Sequence, residues 1–98
     1  MGVNVDKVYI VVKQGVYRHN IMGIYMDVEQ AKLRAINVAG SSVDDYRDGD
    51  GYHEFLVCTA PVGFDIGDVQ VLYVFKREVS GSWDSRVYGK VKEVKNDY

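Results

Sequence analysis

Two largely apolar, β-prone runs at the start of the chain predict two strands joined by a turn. The run at 7–13 is rich in Val, Ile and Tyr, and a second β-prone run occupies 20–26. Between them, Gln14 and Gly15 are residue types that favour a turn. We therefore expect the fold to begin with a β-hairpin.

From Asp27 onward the apolar residues follow the 3.6-residue period of a helix. Asp27 is placed to cap the helix, because Gln30 follows at the spacing of a capping box. One side of the helix expected at 28–39 is apolar, with Leu33 at its margin, and Gly40 is placed to end the helix in the left-handed conformation. The apolar side consists of Val28, Ala31, Ala35, Ile36, Val38 and Ala39.

Three further strands are predicted in the rest of the chain. A β-prone run at 53–59 stops at Pro61, which cannot donate a hydrogen bond to a ladder. The longest run, 69–79, has apolar residues on both faces, which is typical of a central strand. The last run, 86–94, carries lysines of the kind that protect an exposed edge. One face of the longest run is expected to carry Val69, Val71, Tyr73 and Phe75.

The resulting order, β-β-α-β-β-β, belongs to the α+β class. We expect a mainly antiparallel sheet of about five strands with one helix packed on one face. A chain of 98 residues has room for one core, so 1–98 is interpreted as a single domain. The apolar fraction of 47% and the charged fraction of 27% are those of a globular protein rather than a disordered one.

Cysteine usage and hydropathy favour a cytoplasmic location. Cys58 is the only cysteine, so an intramolecular disulfide cannot form and an oxidising compartment is not indicated. The first residues lack the basic and apolar regions of a signal peptide, and no apolar run is long enough to span a bilayer. We expect a protein that does not contact a membrane.

No arrangement of residues in the sequence predicts catalysis, a metal or a cofactor. Cys58 and His53 are five positions apart on one predicted strand, so their side chains point to opposite faces, and a buried thiol is the favoured interpretation. The acidic segment 44–54 contains oxygen ligands without the spacing of a calcium loop. Two histidines and one cysteine, His19, His53 and Cys58, are the whole supply of nitrogen and sulfur ligands for zinc and do not favour a site.

The segment that runs from the first strand into the helix has a recognisable combination of residues. Its members are Val8-Tyr9-Ile10-Val11-Val12, Tyr17, Ile21, Gly23-Ile24-Tyr25 and Val28-Glu29-Gln30-Ala31. This combination resembles a class of small, functionally uncharacterised α+β proteins encoded by bacteriophages and prophages, in which a hairpin runs directly into a helix. The resemblance covers 7–39 and implies a phage-type origin and a host-cell cytoplasmic location. It includes no catalytic residue.

Aromatic residues near the predicted loops are the candidates for function. Trp83 lies in a Gly-Ser-Trp-Asp turn, where a tryptophan is hard to bury, although it could instead fold back over its own hairpin. Trp, Tyr and Arg are the residue types that dominate binding hot spots. The candidate protein-binding residues are Trp83, Arg86, Tyr88, Tyr46 and Tyr52.

From these residues we expect a non-enzymatic module that binds a host or phage protein. Inhibition of a host process, such as a defence system, is the activity that small phage proteins commonly have. A shared apolar or strand-edge surface also makes a homodimer an expectation.

Two alternative functions follow from other features of the sequence. Basic and aromatic side chains that alternate along the last strand and share a face could bind nucleic acid. The residues concerned are Arg86, Tyr88, Lys90 and Lys92. The net charge of −2 and the acidic segment 44–54 argue against this alternative, since phosphate binding depends on a clustered positive surface. The second alternative is a small-molecule sequestering protein with a tyrosine-lined pocket between helix and sheet.

Overall fold

The computed structural model describes residues 7–15, 19–41, 54–63, 65–81 and 87–98. Within these residues the chain forms five strands and one helix in the predicted order, which confirms the α+β class. The predicted boundaries differ from the observed ones by no more than two residues. The elements are β1 (Lys7–Gln14), β2 (His19–Tyr25), α1 (Val28–Ser41), β3 (Glu54–Pro61), β4 (Gln70–Ser80) and β5 (Val87–Val94), with a short 3-10 turn at Ile66–Asp68.

The strands form one antiparallel sheet in the order β2-β1-β3-β4-β5. Local hairpins pair β1 with β2 and β4 with β5. Helix α1 carries the chain across the sheet, so that β3 pairs with the remaining side of β1 rather than with β2. The longest strand, β4, is an interior strand beside the central β3, and the predicted edge position of β5 is confirmed.

Helix α1 begins where the sequence places its cap. The side-chain Oδ2 of Asp27 accepts a hydrogen bond from the backbone N–H of Gln30 at 3.4 Å. This contact satisfies one of the N–H groups that have no partner within the first turn. The predicted end at Gly40 is wrong, because α1 continues through Gly40 to Ser41, whose hydroxyl donates to the carbonyl of Asn37 at 2.7 Å.

Three alanines form the buried side of α1. Ala31, Ala35 and Ala39 are fully buried against one face of the sheet, which we call the helix face. Their small side chains allow the helix backbone to approach the strands closely. The sheet residues of this cluster are Val11, Phe55, Val57 and Phe75, with Tyr9, Met22, Tyr25, Tyr73 and Val91 packed around it.

The outer side of α1 departs from the predicted pattern at Ile36, which was expected on the apolar side and is exposed. Leu33, expected at the margin, is 61% exposed. On the flank nearest β4, the Nζ of Lys32 lies 4.4 Å from the ring centroid of Tyr73. A cation is attracted to the face of an aromatic ring, so this contact adds an electrostatic attraction to the apolar packing between α1 and the sheet.

A second apolar cluster occupies the other side of the sheet, which we call the opposite face. It contains Ile10, Leu56, Cys58, Ala60 and Val74, all buried. The pleat of β3 sends Phe55 and Val57 to the helix face and Leu56 and Cys58 to the opposite face. A strand with apolar residues on both sides belongs in the centre of a sheet, and β3 lies at the centre of this one.

An irregularity in β4 changes which of its residues share a face. The register shifts between Val57 and Cys58 of β3, which leaves Leu72 as an extra residue in β4. The sequence pattern predicts one face made of Val69, Val71, Tyr73 and Phe75. In the structure the first two pack on the opposite face and the last two on the helix face. The prediction is wrong because a bulge reverses the alternation of side chains.

Candidate protein-binding surface

Most of the candidate protein-binding residues belong to connections between elements. The structure describes Tyr88, whereas Trp83, Arg86, Tyr46 and Tyr52 lie outside the described residues. The segment 42–53, which contains most of the predicted acidic loop, lies outside them as well. The described elements nevertheless show to which part of the sheet these segments are attached.

Three connections are attached to the same end of the sheet, which we call the loop end. Each of the six elements runs opposite to the one before it, so alternate connections start from the same end. The register confirms this for the strands, because Gln14 pairs with both His19 and Glu54. In β4, which passes the level of Glu54, Ser80 pairs with Val87. The connections attached here span 15–18, 42–53 and 81–86.

Helix α1 also ends near this level. A Cβ atom built at Gly40 would lie 3.8 Å from a methyl group of Val91. Val91 pairs with Arg77, one residue beyond the level of Glu54. The connection between α1 and β3 is therefore attached to the loop end at both of its ends.

Tyr88 is the candidate residue that the structure places. Its ring is half-buried, and the guanidinium carbon of Arg77 lies 5.0 Å from the ring centroid. The Nε of Arg77 also donates a hydrogen bond to the carbonyl of Gly89 at 3.2 Å. Because a guanidinium group is attracted to an aromatic face, Tyr88 helps to hold β4 and β5 together near the loop end.

A second irregularity separates residues of β5 that were expected to share a face. The register pairs Arg77 with Val91 and Val79 with Tyr88, so β5 has an extra residue over this stretch. Val91 packs on the helix face. Tyr88 lies on that face too, because its ring is beside Arg77.

Lys92 follows Val91 directly and points to the opposite face, where its Nζ lies 3.1 Å from the carboxylate of Glu78. The prediction that Tyr88 and Lys92 share one face is therefore wrong. Lys90 is exposed, and Arg86 lies outside the described residues. The described part of β5 does not form the alternating basic and aromatic strip that nucleic-acid binding would use.

Residues 95–98 make contacts that no sequence pattern predicted. The side-chain amide of Asn96 donates to the carbonyls of Val71 and Leu72, at 2.9 and 3.4 Å. These carbonyls lie at the bulge of β4, where the ladder is interrupted. The Oδ1 of Asn96 accepts a hydrogen bond from the backbone N–H of Tyr98 at 3.1 Å, which turns the chain back over the sheet.

Tyr98 then reaches Glu54 at the start of β3. Its hydroxyl donates to one carboxylate oxygen at 2.6 Å, and the other oxygen lies 3.7 Å from the Nζ of Lys76. Desolvation by burial and the hydrogen bond to Glu54 raise the pKa of Tyr98 to about 12. The hydroxyl is therefore protonated at neutral pH, where it serves as a hydrogen-bond donor and not as a base.

Cys58 is buried in the opposite-face cluster, as predicted, and burial raises the pKa of its thiol. A catalytic thiol needs a depressed pKa or an adjacent base. His19 pairs with Gln14 at the loop end, whereas Cys58 pairs with Ile10 further along β1. Four strand residues of about 3.4 Å each separate these levels, so His19 cannot serve Cys58 as a base. His53 lies outside the described residues.

The exposed edge strand β2 has an apolar surface that the sequence pattern did not predict. Ile21 and Ile24 are 66% and 58% exposed, and both lie on the opposite face because they pair with Val12 and Ile10. Residues three apart would point to different faces of a regular strand. A register shift makes Met22 an extra residue and brings the two isoleucines to one face. The sequence signal was a glycine inside the strand, at position 23, since such glycines often mark a bulge.

The fold and its surfaces define an α+β protein with a five-stranded antiparallel sheet and one covering helix. In the part of the chain that the structure describes, no helix is both long enough and apolar enough to cross a membrane. The same residues contain no group of three or more His, Cys, Asp or Glu side chains arranged to hold a metal ion. Comparison with protein-family models, curated proteins and solved structures finds no match to this chain.

Proposed function

We propose that the protein is a non-enzymatic module that binds another protein through the loop end of its sheet. The observation that carries the proposal is the topology, which attaches the segments containing Tyr46, Tyr52 and Trp83 to the same end of one sheet. A rigid sheet that presents several connections at one end is a common scaffold for a binding surface. The residue types in these segments are those that dominate hot spots.

The charge of the longest of these connections indicates the chemistry of the partner. Between 42 and 53 the sequence places four aspartates around Tyr46 and Tyr52, against one arginine, Arg47. Complementary charge accelerates association and excludes wrong partners. The partner we propose therefore presents a basic surface with room for aromatic side chains.

The origin of the partner is proposed from the resemblance of 7–39 to phage and prophage proteins. That resemblance supports a host or phage protein as the partner and the host cytoplasm as the place of binding. The consequence we propose is inhibition of a host process, such as a defence system.

The two alternative functions have less support. The nucleic-acid alternative lacks the expected strip of basic and aromatic side chains, because Lys92 is paired with Glu78 and points away from the face that carries Tyr88. For a small-molecule pocket, Tyr9, Tyr25 and Tyr73 would have to line a space between helix and sheet. Instead these tyrosines pack against the helix-face cluster.

The proposal is tested by affinity capture of tagged protein from a nuclease-treated bacterial lysate, read by mass spectrometry. We expect Trp83→Ala and Arg86→Glu each to reduce recovery of the partner by about tenfold, the effect of losing one hot-spot residue. The matched control is Val62→Ala, which removes an exposed apolar side chain just beyond the other end of β3. Circular dichroism establishes that each variant is folded.

Equal recovery of the partner by wild type and by both loop-end variants would contradict the proposal. Recovery that depends on intact nucleic acid would instead favour the nucleic-acid alternative. A partner that Val62→Ala also fails to recover would place the binding surface elsewhere.

A further inference from the structure

The two edges of the sheet differ in how well they are protected from pairing with another strand. Edge strand β5 carries Lys90, Lys92 and Glu93, and charged residues on an edge discourage pairing. Edge strand β2 contains no Asp, Glu, Lys or Arg between His19 and Tyr25. Among the described residues β2 pairs with β1 alone, so its outer edge and its two exposed isoleucines offer an uncharged surface to another strand.

Because of the bulge, the order in which β2 side chains point to the helix face or the opposite face is the same from either end of the strand. Met22 and Gly23 both lie on the helix face, flanked by Ile21 and Ile24 on the opposite face. Outside these, Asn20 and Tyr25 are again on the helix face, opposite Lys13 and Tyr9. The pattern is symmetric about the bond between Met22 and Gly23.

This symmetry decides which strand can pair with β2. In an antiparallel pair related by a two-fold axis perpendicular to the sheet, opposed residues lie on the same face. A regular strand cannot place that axis between two neighbouring residues, because neighbours point to different faces. The bulged β2 can, and a second copy of β2 presents the matching pattern.

We propose that β2 pairs with β2 of a second copy of this chain, so that the two sheets become continuous across a two-fold axis between Met22 and Gly23. Each Ile21 then lies opposite Ile24 of the other copy. The four isoleucines form one apolar strip, continuous with Val12 and Ile10 in the opposite-face cluster of each copy. The same operation applied to β5 would bring charged strands together.

Neither Met22 nor Gly23 places a side chain across the axis. Gly23 has no side chain, and the side chain of Met22 packs against the helix-face cluster. The carbonyl of Met22 accepts a hydrogen bond from the Nε of Arg34 at 3.4 Å, so the bulge is supported by α1. Self-pairing does not rest on the loop-end proposal, because it uses a different edge and needs no other protein.

The test is the molar mass of the purified protein, measured by light scattering after size exclusion over a wide range of concentration. We expect a dimer for wild type and a monomer for the double variant Ile21→Lys/Ile24→Lys, in which lysines oppose lysines. In Ile21→Lys/Ile24→Glu, each lysine opposes a glutamate of the other copy, and we expect the dimer to return. Leu33→Lys, a change at an exposed apolar residue of α1, controls for added charge and should remain dimeric.

A wild-type protein that is monomeric at every concentration would overturn the proposal. A folded, dimeric Ile21→Lys/Ile24→Lys variant would overturn it too, because the dimer would then use another surface. If the Lys/Lys and Lys/Glu variants are both folded and both monomeric, the two-fold register about Met22 and Gly23 is wrong.

Discussion

Gly23 is the residue on which the packing at the β2 edge depends most directly. The ring of Tyr25 covers it on the helix face, and a Cβ atom at position 23 would lie 2.7 Å from Cε2 of that ring. Tyr25 is half-buried against the helix-face cluster. A side chain at position 23 must therefore displace a ring that contributes to the core.

We predict that Gly23→Ala lowers the free energy of unfolding by about 1 kcal/mol, the lower end of overpacking costs. A loss of stability would be informative, because alanine in a strand is otherwise favoured over glycine on entropic grounds. Urea denaturation measures the change. At Gly67 a Cβ atom would meet nothing within 4 Å, so Gly67→Ala is the matched control. A Gly23→Ala variant as stable as wild type would show that the ring moves without cost.

Tyr98 makes stability depend on pH in the alkaline range. Its pKa is raised from 10.0 to about 12, first by burial and then by its bond to Glu54. In a group with a raised folded-state pKa, the stabilisation is fully present below the unfolded-state value and is lost as pH rises through the folded-state value. The loss should therefore occur between pH 10 and about pH 12.

We predict that Tyr98→Phe removes this contribution, so that the stability difference between wild type and variant shrinks as pH rises through that window. Urea midpoints of both proteins on either side of the window supply the measurement. Because other groups titrate equally in both proteins, their difference isolates Tyr98. A difference that stays constant with pH would mean that the hydroxyl of Tyr98 does not contact Glu54 in solution.

At the scale of single residues, a contact within one helical turn was predictable from the sequence, whereas contacts between distant segments were not. Asp27 was identified as the helix cap because its bond to Gln30 lies within a single turn. Gly40 was assigned the wrong role, because α1 continues past it to Ser41, whose hydroxyl donates to the carbonyl of Asn37. The contacts of Asn96 and Tyr98 join residues far apart in the chain, and no periodicity indicates them.

Among the elements, α1 depends on small residues where it meets the sheet. Ala31, Ala35 and Ala39 are fully buried against the strands. We predict that Ala35→Leu lowers the free energy of unfolding by about 1–3 kcal/mol, because the added atoms have no space between helix and strands. The comparison is Leu33→Ala on the exposed side, where we expect a change within about 0.5 kcal/mol.

Chemical denaturation of Ala35→Leu and Leu33→Ala tests whether α1 packs closely against the sheet. If Ala35→Leu is as stable as wild type, α1 lies further from the sheet than the structure shows. A large loss in Leu33→Ala would mean that the outer side of α1 is covered in solution.

The strands were predictable as elements, and their faces were only partly so. Runs of β-prone residues bounded by turn residues located all five. The extra residues at Met22 and Leu72, and the one in β5, each reverse the alternation within a strand. Bulges depend on the register with a neighbouring strand, so the faces of β4 and β5 were assigned incorrectly from sequence.

For the whole molecule, strand order could not be derived from the sequence. The two hairpins follow from short connections, but the place of β3 depends on how α1 crosses the sheet. Once the strand order is known, the direction of each element determines that three connections are attached to the loop end. The residue types of the candidate site were therefore readable from sequence, and the attachment of their segments to one end required the fold.

The molecule as we interpret it has two separate surfaces. The loop end would bind a different protein, and the β2 edge would bind a second copy. β2 is an edge strand, whereas the hairpin connection that contains Trp83 is attached to β4 and β5 on the other side of the sheet. Substitutions at one surface should leave the other intact.

The most direct test is one capture experiment from a bacterial lysate, run in parallel with wild type, Trp83→Ala and Ile21→Lys/Ile24→Lys, with the molar mass of each purified bait recorded. We predict that Trp83→Ala stays dimeric and loses the partner. The lysine variant should become monomeric and keep it. If Trp83→Ala recovers the same partner as wild type with undiminished yield, the loop end is not the binding surface and the central claim is contradicted.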